Sequence, residues 1–117
     1  MLKAYFVIRQ DLEMSPAKLA VQIGHGVDFI HLMNVKSSEF ERWITLYDRR
    51  KIVLRIKNIE RLENLIKFLD EAQITYSKIV DKGYTEFQGQ ETMTGIVIHP
   101  IDEDNVPTKI SKLQIWK

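Results

Sequence analysis

The 117-residue sequence contains no cysteine, which excludes a disulfide framework, a thiolate nucleophile and zinc sites built on cysteine. It also has no apolar run near the roughly 20 residues that a transmembrane helix requires, so we expect no membrane association. Basic residues exceed acidic residues by only one, 17 against 16, so the overall charge does not indicate a nucleic-acid-binding protein. Any contact with RNA would therefore depend on a local basic patch.

Several catalytic motifs are missing as well. The sequence has no Gly-x-Ser-x-Gly nucleophile elbow, no Walker loop and no Gly-x-Gly-x-x-Gly turn. Its three histidines, His25, His31 and His99, do not show the spacing of metal ligands. We therefore expect no metal and no cofactor. An enzyme with this sequence would guide the direct attack of water with an acid, a base and charge.

The pattern of apolar residues predicts one α/β domain over residues 1–117. The predicted strands are Ala4–Ile8, Ile52–Ile56, Tyr76–Val80 and Met93–Ile98. The predicted helices run from Pro16 to about Met33, from a capping box at Ser38–Glu41 to about Asp48, and onward from a cap at Asn58. We expect His99-Pro100 to end the fourth strand, a turn or short helix at Asp102–Val106, and a final strand at Leu113–Trp116. Helical crossovers favour parallel strand pairs and the loop after Val80 allows an antiparallel pair, so the sheet should be mixed.

The first predicted helix carries two stripes of side chains. The stripe predicted to pack on the core consists of Leu19, Ile23, Val27 and Ile30. The second stripe, typical of a half-exposed polar edge, consists of Lys18, Gln22, His25 and Phe29. Lys18 lies in the first turn, where a cation faces the positive end of the helix dipole. Either its long side chain reaches solvent, or it forms an anion site with the backbone N–H groups of that turn.

Two other features have both an ordinary and a functional interpretation. Gly24 and Gly26 flank His25 and cost about 1 kcal/mol each inside a helix, which predicts a close approach by backbone or ligand. The segment Asp81–Thr85 has the composition of an ordinary turn, but loops that follow strands often hold catalytic groups. The same two interpretations apply to three threonines, Thr85, Thr92 and Thr94. They could simply be β-branched strand residues, or their hydroxyl groups could position water or a substrate carbonyl.

Two separated segments together resemble the signatures of the type II peptidyl-tRNA hydrolases, found mainly in archaea and eukaryotes. The first comprises Arg9-x-Asp11-Leu12-x-Met14 and then Lys18-x-Ala20-x-Gln22-x-x-His25. The second comprises Asp81-x-Gly83-Tyr84-Thr85 and then Thr92-Met93-Thr94. The resemblance covers about Lys3 to Pro100. Tyr84 replaces an arginine of the family pattern, which removes a phosphate contact and puts tRNA affinity in question more than the chemistry.

The resemblance implies a three-layer sandwich, with a mixed four-stranded sheet flanked by helices on both faces. It implies a cytoplasmic enzyme that hydrolyses the ester between a peptide and the 3′ ribose of tRNA, so the partner is peptidyl-tRNA; a homodimer is compatible with it. Catalytic roles fall on Lys18, Asp81, Thr85 and Thr94. Asp81 would orient or deprotonate the water, and Lys18 would stabilise the oxyanion or hold a phosphate. Substrate contacts are expected from Gln22, His25, Lys82, Tyr84 and Thr92.

Two alternative functions remain open from the sequence. A relative without activity would use the same fold to bind RNA or protein, and an unrelated esterase would act on small molecules. The side chains that could form a local basic surface for RNA are Arg49, Arg50, Lys51, Lys57, Lys78 and Lys82.

Overall fold

The computed structural model describes residues 1–34, 37–84 and 87–117. Its strands are β1 Leu2–Arg9, β2 Lys51–Ile56, β3 Tyr76–Asp81 and β4 Thr92–Asp102. Its helices are α1 Pro16–Asn34, α2 Ser38–Thr45, α3 Ile59–Glu71 and α4 Thr108–Ser111. Short 3-10 turns lie at Phe87–Gly89 and Glu103–Asn105. No helix in these described ranges is long and apolar enough to cross a membrane.

The four strands form one sheet in the order β2-β1-β4-β3. Strand β1 is parallel to β2 and antiparallel to β4, and β3 is antiparallel to β4. The predicted mixed four-stranded sheet is therefore confirmed. Strands β1, β2 and β3 run in the same direction, so their carboxyl ends meet at one edge of the sheet, which we call the carboxyl edge. Strand β4 begins at this edge, where Thr92 pairs with Asp81.

Alternation along β1 divides the core between the two faces of the sheet. Phe6 and Ile8 point to one face, where they pack with residues of α1 and α2. Tyr5 and Val7 point to the other face, where they pack with α3 and with Ile110 of α4. Helices therefore cover both faces, and the predicted three-layer arrangement is confirmed.

Strand β4 continues past the point where the sequence predicts its end. Lys3 pairs with Ile101 and Tyr5 pairs with Ile98, so Ala4 alone faces the two residues His99 and Pro100. This β-bulge allows proline, which has no N–H to donate, to lie within a strand. The prediction that His99-Pro100 ends the strand was wrong for this reason.

The second helix begins one residue earlier than its predicted capping box. The Ser37 hydroxyl accepts the hydrogen bond from the Phe40 N–H at 3.2 Å, so the N-cap is Ser37 and the predicted box at Ser38 was wrong. The helix also ends at Thr45, before the predicted Asp48. By contrast, the cap predicted for α3 is confirmed, because Asn58 accepts from the Arg61 N–H at 2.9 Å.

The tail differs from its prediction in part. The turn expected near Asp102–Val106 is present as the 3-10 turn Glu103–Asn105, but α4 was not predicted. The final strand is reduced to one antiparallel bridge between Ile115 and Leu54. This bridge attaches the tail to β2, the edge strand on the side of the sheet opposite β3.

Candidate active site

Helix α1 turns a partly polar face toward the sheet. Its buried residues are Lys18, Gln22, Gly26 and Ile30, spaced four apart. The predicted core stripe is therefore displaced: Ile30 is fully buried, whereas Leu19, Ile23 and Val27 pack half-buried at its side. Gly26 explains how the helix comes so close, because a Cβ there would lie 3.3 Å from side-chain atoms of both Ile79 and Val97. The predicted close approach thus holds for Gly26 but not for Gly24, around which a Cβ would have open space.

Lys18 and Asp81 form a buried ion pair between α1 and the end of β3. The Lys18 Nζ lies 2.9 Å from the Asp81 Oδ2, and the two side chains are only 8% and 6% exposed. The interpretation that Lys18 simply extends into solvent was therefore wrong. The anion beside this lysine is a carboxylate of the protein itself. The Lys18 N–H of the first turn also has a partner within the chain, since it donates to the Ser15 hydroxyl at 3.2 Å.

A chain of hydrogen bonds links the ion pair to β4. The Gln22 Nε2 donates to the Asp81 Oδ2 at 2.8 Å, and the Thr94 hydroxyl donates to the Gln22 Oε1 at 2.8 Å. The same hydroxyl lies 3.3 Å from the Ile79 carbonyl oxygen. Both Gln22 and Thr94 are fully buried. Thr94 therefore fixes the orientation of the Gln22 amide, so that its NH₂ group faces Asp81.

Gly83 holds the other oxygen of Asp81. Its N–H donates to the Asp81 Oδ1 at 2.6 Å, so that Asp81 forms the Asp-x-Gly turn that the sequence suggests. Gly83 has a φ of +79°, and a Cβ there would lie 2.4 Å from the Gln90 carbonyl oxygen. Only glycine fits this position. The ordinary interpretation of this loop is confirmed, because the Asp81 Oδ1 forms the turn. The Asp81 Oδ2 faces Lys18, and a catalytic role of the loop stays a prediction.

The environment of Asp81 keeps its carboxyl group ionised. Burial alone raises the pKa of this carboxyl, but hydrogen bonds from Lys18, Gln22 and the Gly83 N–H, together with the charge of Lys18, outweigh burial. The net pKa is lower than that of an ordinary aspartate. Asp81 is therefore an anion at neutral pH, and it accepts hydrogen bonds without donating one.

Arg9 connects the first signature to the same edge of the sheet. Its guanidinium forms two hydrogen bonds with the Asp11 carboxylate, at 3.1 and 2.8 Å. It also donates to the Met93 carbonyl oxygen at 3.0 Å. Met93 immediately precedes Thr94, so Arg9 and Asp11 fasten the start of β4 next to the buried network. Their presence in the signature thus has a structural explanation.

An open groove of about 520 Å³ lies beside the ion pair. Much of its wall is apolar and is formed by Val21, Phe29, Leu32 and Val80. Lys18, Asp81, His25, Lys82 and Tyr84 also line it. The side chain of Tyr84 is 89% exposed, so it contributes surface to the groove and little packing. The groove brings an apolar surface and a buried charged pair together within reach of one ligand.

Other predicted site residues lie farther from this network. The Thr92 hydroxyl donates to the Gln90 carbonyl oxygen at 3.0 Å, and Lys82 pairs with Glu91 at 3.5 Å on the exposed surface. Thr85 lies outside the described residues. The sequence did not suggest Phe87, whose ring centre lies 5.7 Å from the Lys18 Nζ. Nothing local to Phe87 indicates this contact, because it depends on how the loop after β3 returns to the helix.

No group of three His, Asp or Glu side chains in the described ranges comes together as a metal site. The network itself consists of donors and acceptors of the chain. It presents a cation and an anion at the side of a groove, and the ordered amide of Gln22 lies buried behind them. An ester bound there would have its carbonyl group near a positive charge, with a carboxylate close enough to hold a water molecule.

Residues 2–116 match the family described as peptidyl-tRNA hydrolase PTH2. The chain is 26% identical over 117 residues to a peptidyl-tRNA hydrolase of Thermoplasma acidophilum, with 97% of each chain covered. It is 30% identical over 98 residues to a peptidyl-tRNA hydrolase of Thermoplasma volcanium, covering 81% of this chain and 83% of the relative. A probable peptidyl-tRNA hydrolase 2 of Caenorhabditis elegans is 30% identical over 98 residues, or 80% of this chain and 31% of that protein. The family match includes every residue of the site described above.

Proposed function

This chain belongs to the peptidyl-tRNA hydrolase PTH2 family, and we propose that it hydrolyses the ester between a peptide and the 3′ ribose of tRNA at the Lys18–Asp81 pair. Water adds to the ester carbonyl carbon, the bond from that carbon to the ribose oxygen breaks, and the products are a peptide carboxylic acid and tRNA with a restored hydroxyl. The observation that carries this assignment is the buried ion pair at 2.9 Å beside an open groove.

Lys18 is proposed to stabilise the negative charge that develops on the carbonyl oxygen. An ammonium group carries three N–H bonds, so it can donate to that oxygen while it remains paired with Asp81. Its position is set before substrate binds, because Asp81 and the Phe87 ring both contact it. Charge that is already in place stabilises a transition state without the cost of reorganising solvent.

Asp81 is proposed to orient the attacking water. Its lowered pKa keeps it anionic, but it also makes the carboxylate a weak base. An anionic carboxylate that is a weak base can hold the water by a hydrogen bond. It would accept the water's proton only as the new bond from the water oxygen to carbon forms. Thr85 is the remaining candidate for a second contact to the water, from its place in the signature.

Gln22 and Thr94 are proposed to act through Asp81 rather than on the substrate. Both are fully buried, and their hydrogen bonds run toward the carboxylate and the β3 backbone. They are therefore positioning residues. The substrate contacts are assigned to residues of the groove, with the apolar wall beneath the aminoacyl side chain and with His25, Lys82 and Tyr84 near the end of the tRNA. The substrate contact proposed for Thr92 rests on its place in the signature alone.

The proposed partner is peptidyl-tRNA, and the cytoplasm, where translation occurs, is the proposed compartment. We further propose that residues 1–117 act as one catalytic domain, since the two core clusters share the same four strands. A homodimer would be compatible with this proposal, because the pair and the groove are both formed within one chain.

The proposal is tested by the release of N-acetyl-amino acid from N-acetyl-aminoacyl-tRNA. The wild-type protein should turn over repeatedly, and Lys18→Ala and Asp81→Ala should each lower kcat/KM by about 10² or more, the effect expected of a lost oxyanion donor or base. Lys67→Ala is the matched control, because Lys67 is an exposed lysine on α3. Near-normal turnover in either site variant, with circular dichroism unchanged, would refute the assignment. A folded wild-type protein without turnover would instead favour a binding role.

A further inference from the structure

A second groove lies at the carboxyl edge, on the side of α3 and α4. Its volume is about 460 Å³. Five of its lining residues are basic: Arg55, Lys57, Arg61, Lys109 and Lys112. Among the described residues that line it, none is an aspartate or a glutamate. This concentration of positive charge is unexpected in a chain whose net charge is only +1.

The charges of this groove are not neutralised within the described part of the chain. None of its five cations forms an ion pair with a described carboxylate. Arg55 donates to the neutral Gln114 amide, and the Lys109 Nζ lies 4.9 Å from the centre of the Phe68 ring. These two contacts fix the side chains in place without cancelling their charge. Like charges held together in this way favour a polyanionic ligand.

The groove lies on the same edge of the sheet as the catalytic pair. Its residues Gln10 and Lys57 directly follow β1 and β2, and Asp81 ends β3. The order β2-β1-β4-β3 separates β2 from β3 by three strand spacings, or about 14 Å. Arg9, next to Gln10, donates to the Met93 carbonyl oxygen and so links the end of β1 to the start of β4.

We propose that this basic groove binds the phosphate backbone of the tRNA while its 3′ end reaches the Lys18–Asp81 pair. The inference rests on the proposed function and assigns the part of the molecule that would hold the tRNA body. Paired RNA is recognised mainly through its phosphates and shape, which suits a groove rich in Arg and Lys. Of the six basic residues that the sequence suggested for this purpose, only Lys57 lines the groove.

The test compares two substrates with the same ester. One is N-acetyl-aminoacyl-tRNA, and the other is the N-acetyl-aminoacyl ester of adenosine, which retains the reacting ribose but lacks the tRNA phosphates. The variant Arg61→Gln/Lys112→Gln removes two charges whose side chains make no other described polar contact. It should raise KM for the tRNA substrate about 10-fold, keep kcat within about twofold, and leave kcat/KM for the adenosine ester unchanged. The slope of log affinity for deacylated tRNA against log salt should become shallower by about 1 for each cation removed.

The matched control is Arg42→Gln/Lys67→Gln, which removes one arginine and one lysine that do not line the basic groove. This control should retain the wild-type KM and salt slope. The inference is overturned if the groove variant binds tRNA with unchanged affinity and slope, or if both substrates lose activity equally. If the wild-type protein did not turn over, only the proposed function would be refuted. Binding of deacylated tRNA by the two variants would still decide whether the groove contacts RNA.

Discussion

Replacing both members of the Lys18–Asp81 pair should give a protein that is more stable than either single variant yet equally inactive. Lys18→Met leaves the Asp81 carboxylate without its cation, although Gln22 and the Gly83 N–H still donate to it. Asp81→Asn removes the carboxylate that lies 2.9 Å from the ammonium group of a lysine that is only 8% exposed. The double variant Lys18→Met/Asp81→Asn contains neither of the two buried charges.

The expected magnitudes follow from the partners that each change leaves behind. Breaking one side of a buried ion pair costs about 3–5 kcal/mol, and the lower end applies because this pair lies at the mouth of a groove. In the double variant, the side-chain carbonyl that replaces one oxygen of Asp81 could still accept the hydrogen bond from Gln22. The new NH₂ group would face the Gly83 N–H, so one donor would have no acceptor, which costs about 1–3 kcal/mol. At roughly 4 °C per kcal/mol, each single change should therefore lower Tm by at least about 12 °C, and the double change by about 4–12 °C.

Thermal unfolding, monitored by the fluorescence of the buried Trp43, would measure the shifts in Tm, and urea unfolding would measure the free energies. Hydrolysis of N-acetyl-aminoacyl-tRNA would measure activity. All three variants should lose about 10² or more in kcat/KM. If the two single effects simply added in the double variant, the two side chains would not interact, and the reasoning from their 2.9 Å contact would be refuted.

Two further predictions concern buried polar groups. Thr94→Val should destabilise the protein by about 1–3 kcal/mol in urea and lower kcat more than it changes KM, because the Gln22 Oε1 loses its donor. The control is Thr45→Val, which alters an exposed hydroxyl on α2, and equal effects of the two changes would contradict the positioning role. Burial lowers the pKa of His99 in the folded protein. Between that pKa and the unfolded value of about 6.5, the unfolded chain binds more protons than the folded protein. The free energy of unfolding should therefore fall as the pH drops below about 6.5. His99→Gln should remove this part of the pH dependence while His31→Gln retains it, and an unchanged profile in His99→Gln would disprove the assignment.

The fold was largely predictable because local patterns decide it. The β-rich runs at β1, β2 and β3, the cap at Asn58 and the long helix after Ser15 each have a short-range signal in the sequence. The error at Pro100 arose because the β-bulge depends on the register of β4 against β1, and register is a property of two strands. The missed α4 is only four residues long, too short for its periodicity to stand out.

The residues of the candidate site could be chosen from the sequence, but their burial could not be predicted from it. Lys18, Asp81 and Gly83 were suggested by their residue types and by the signatures, since a lysine in the first turn and an Asp-x-Gly turn are both visible in the sequence. The helix face was misjudged because apolar residues were assumed to occupy the most buried line of α1. Gly26 and the polar Lys18 and Gln22 occupy that line instead, and only packing against β3 and β4 reveals it.

The polar buried face of α1 also determines how the helix is held along its length. Its carboxyl-terminal half is anchored by the fully buried Ile30. In its first turns the buried residues are the polar Lys18 and Gln22, and the apolar Leu19 and Ile23 are only half-buried. Regions with few buried apolar contacts open at a lower free energy than the core. Amide hydrogens in the first turns of α1 should therefore exchange with solvent through a local opening that leaves the sheet intact. Each such opening separates Lys18 from Asp81, so on heating, the site would come apart before the fold does.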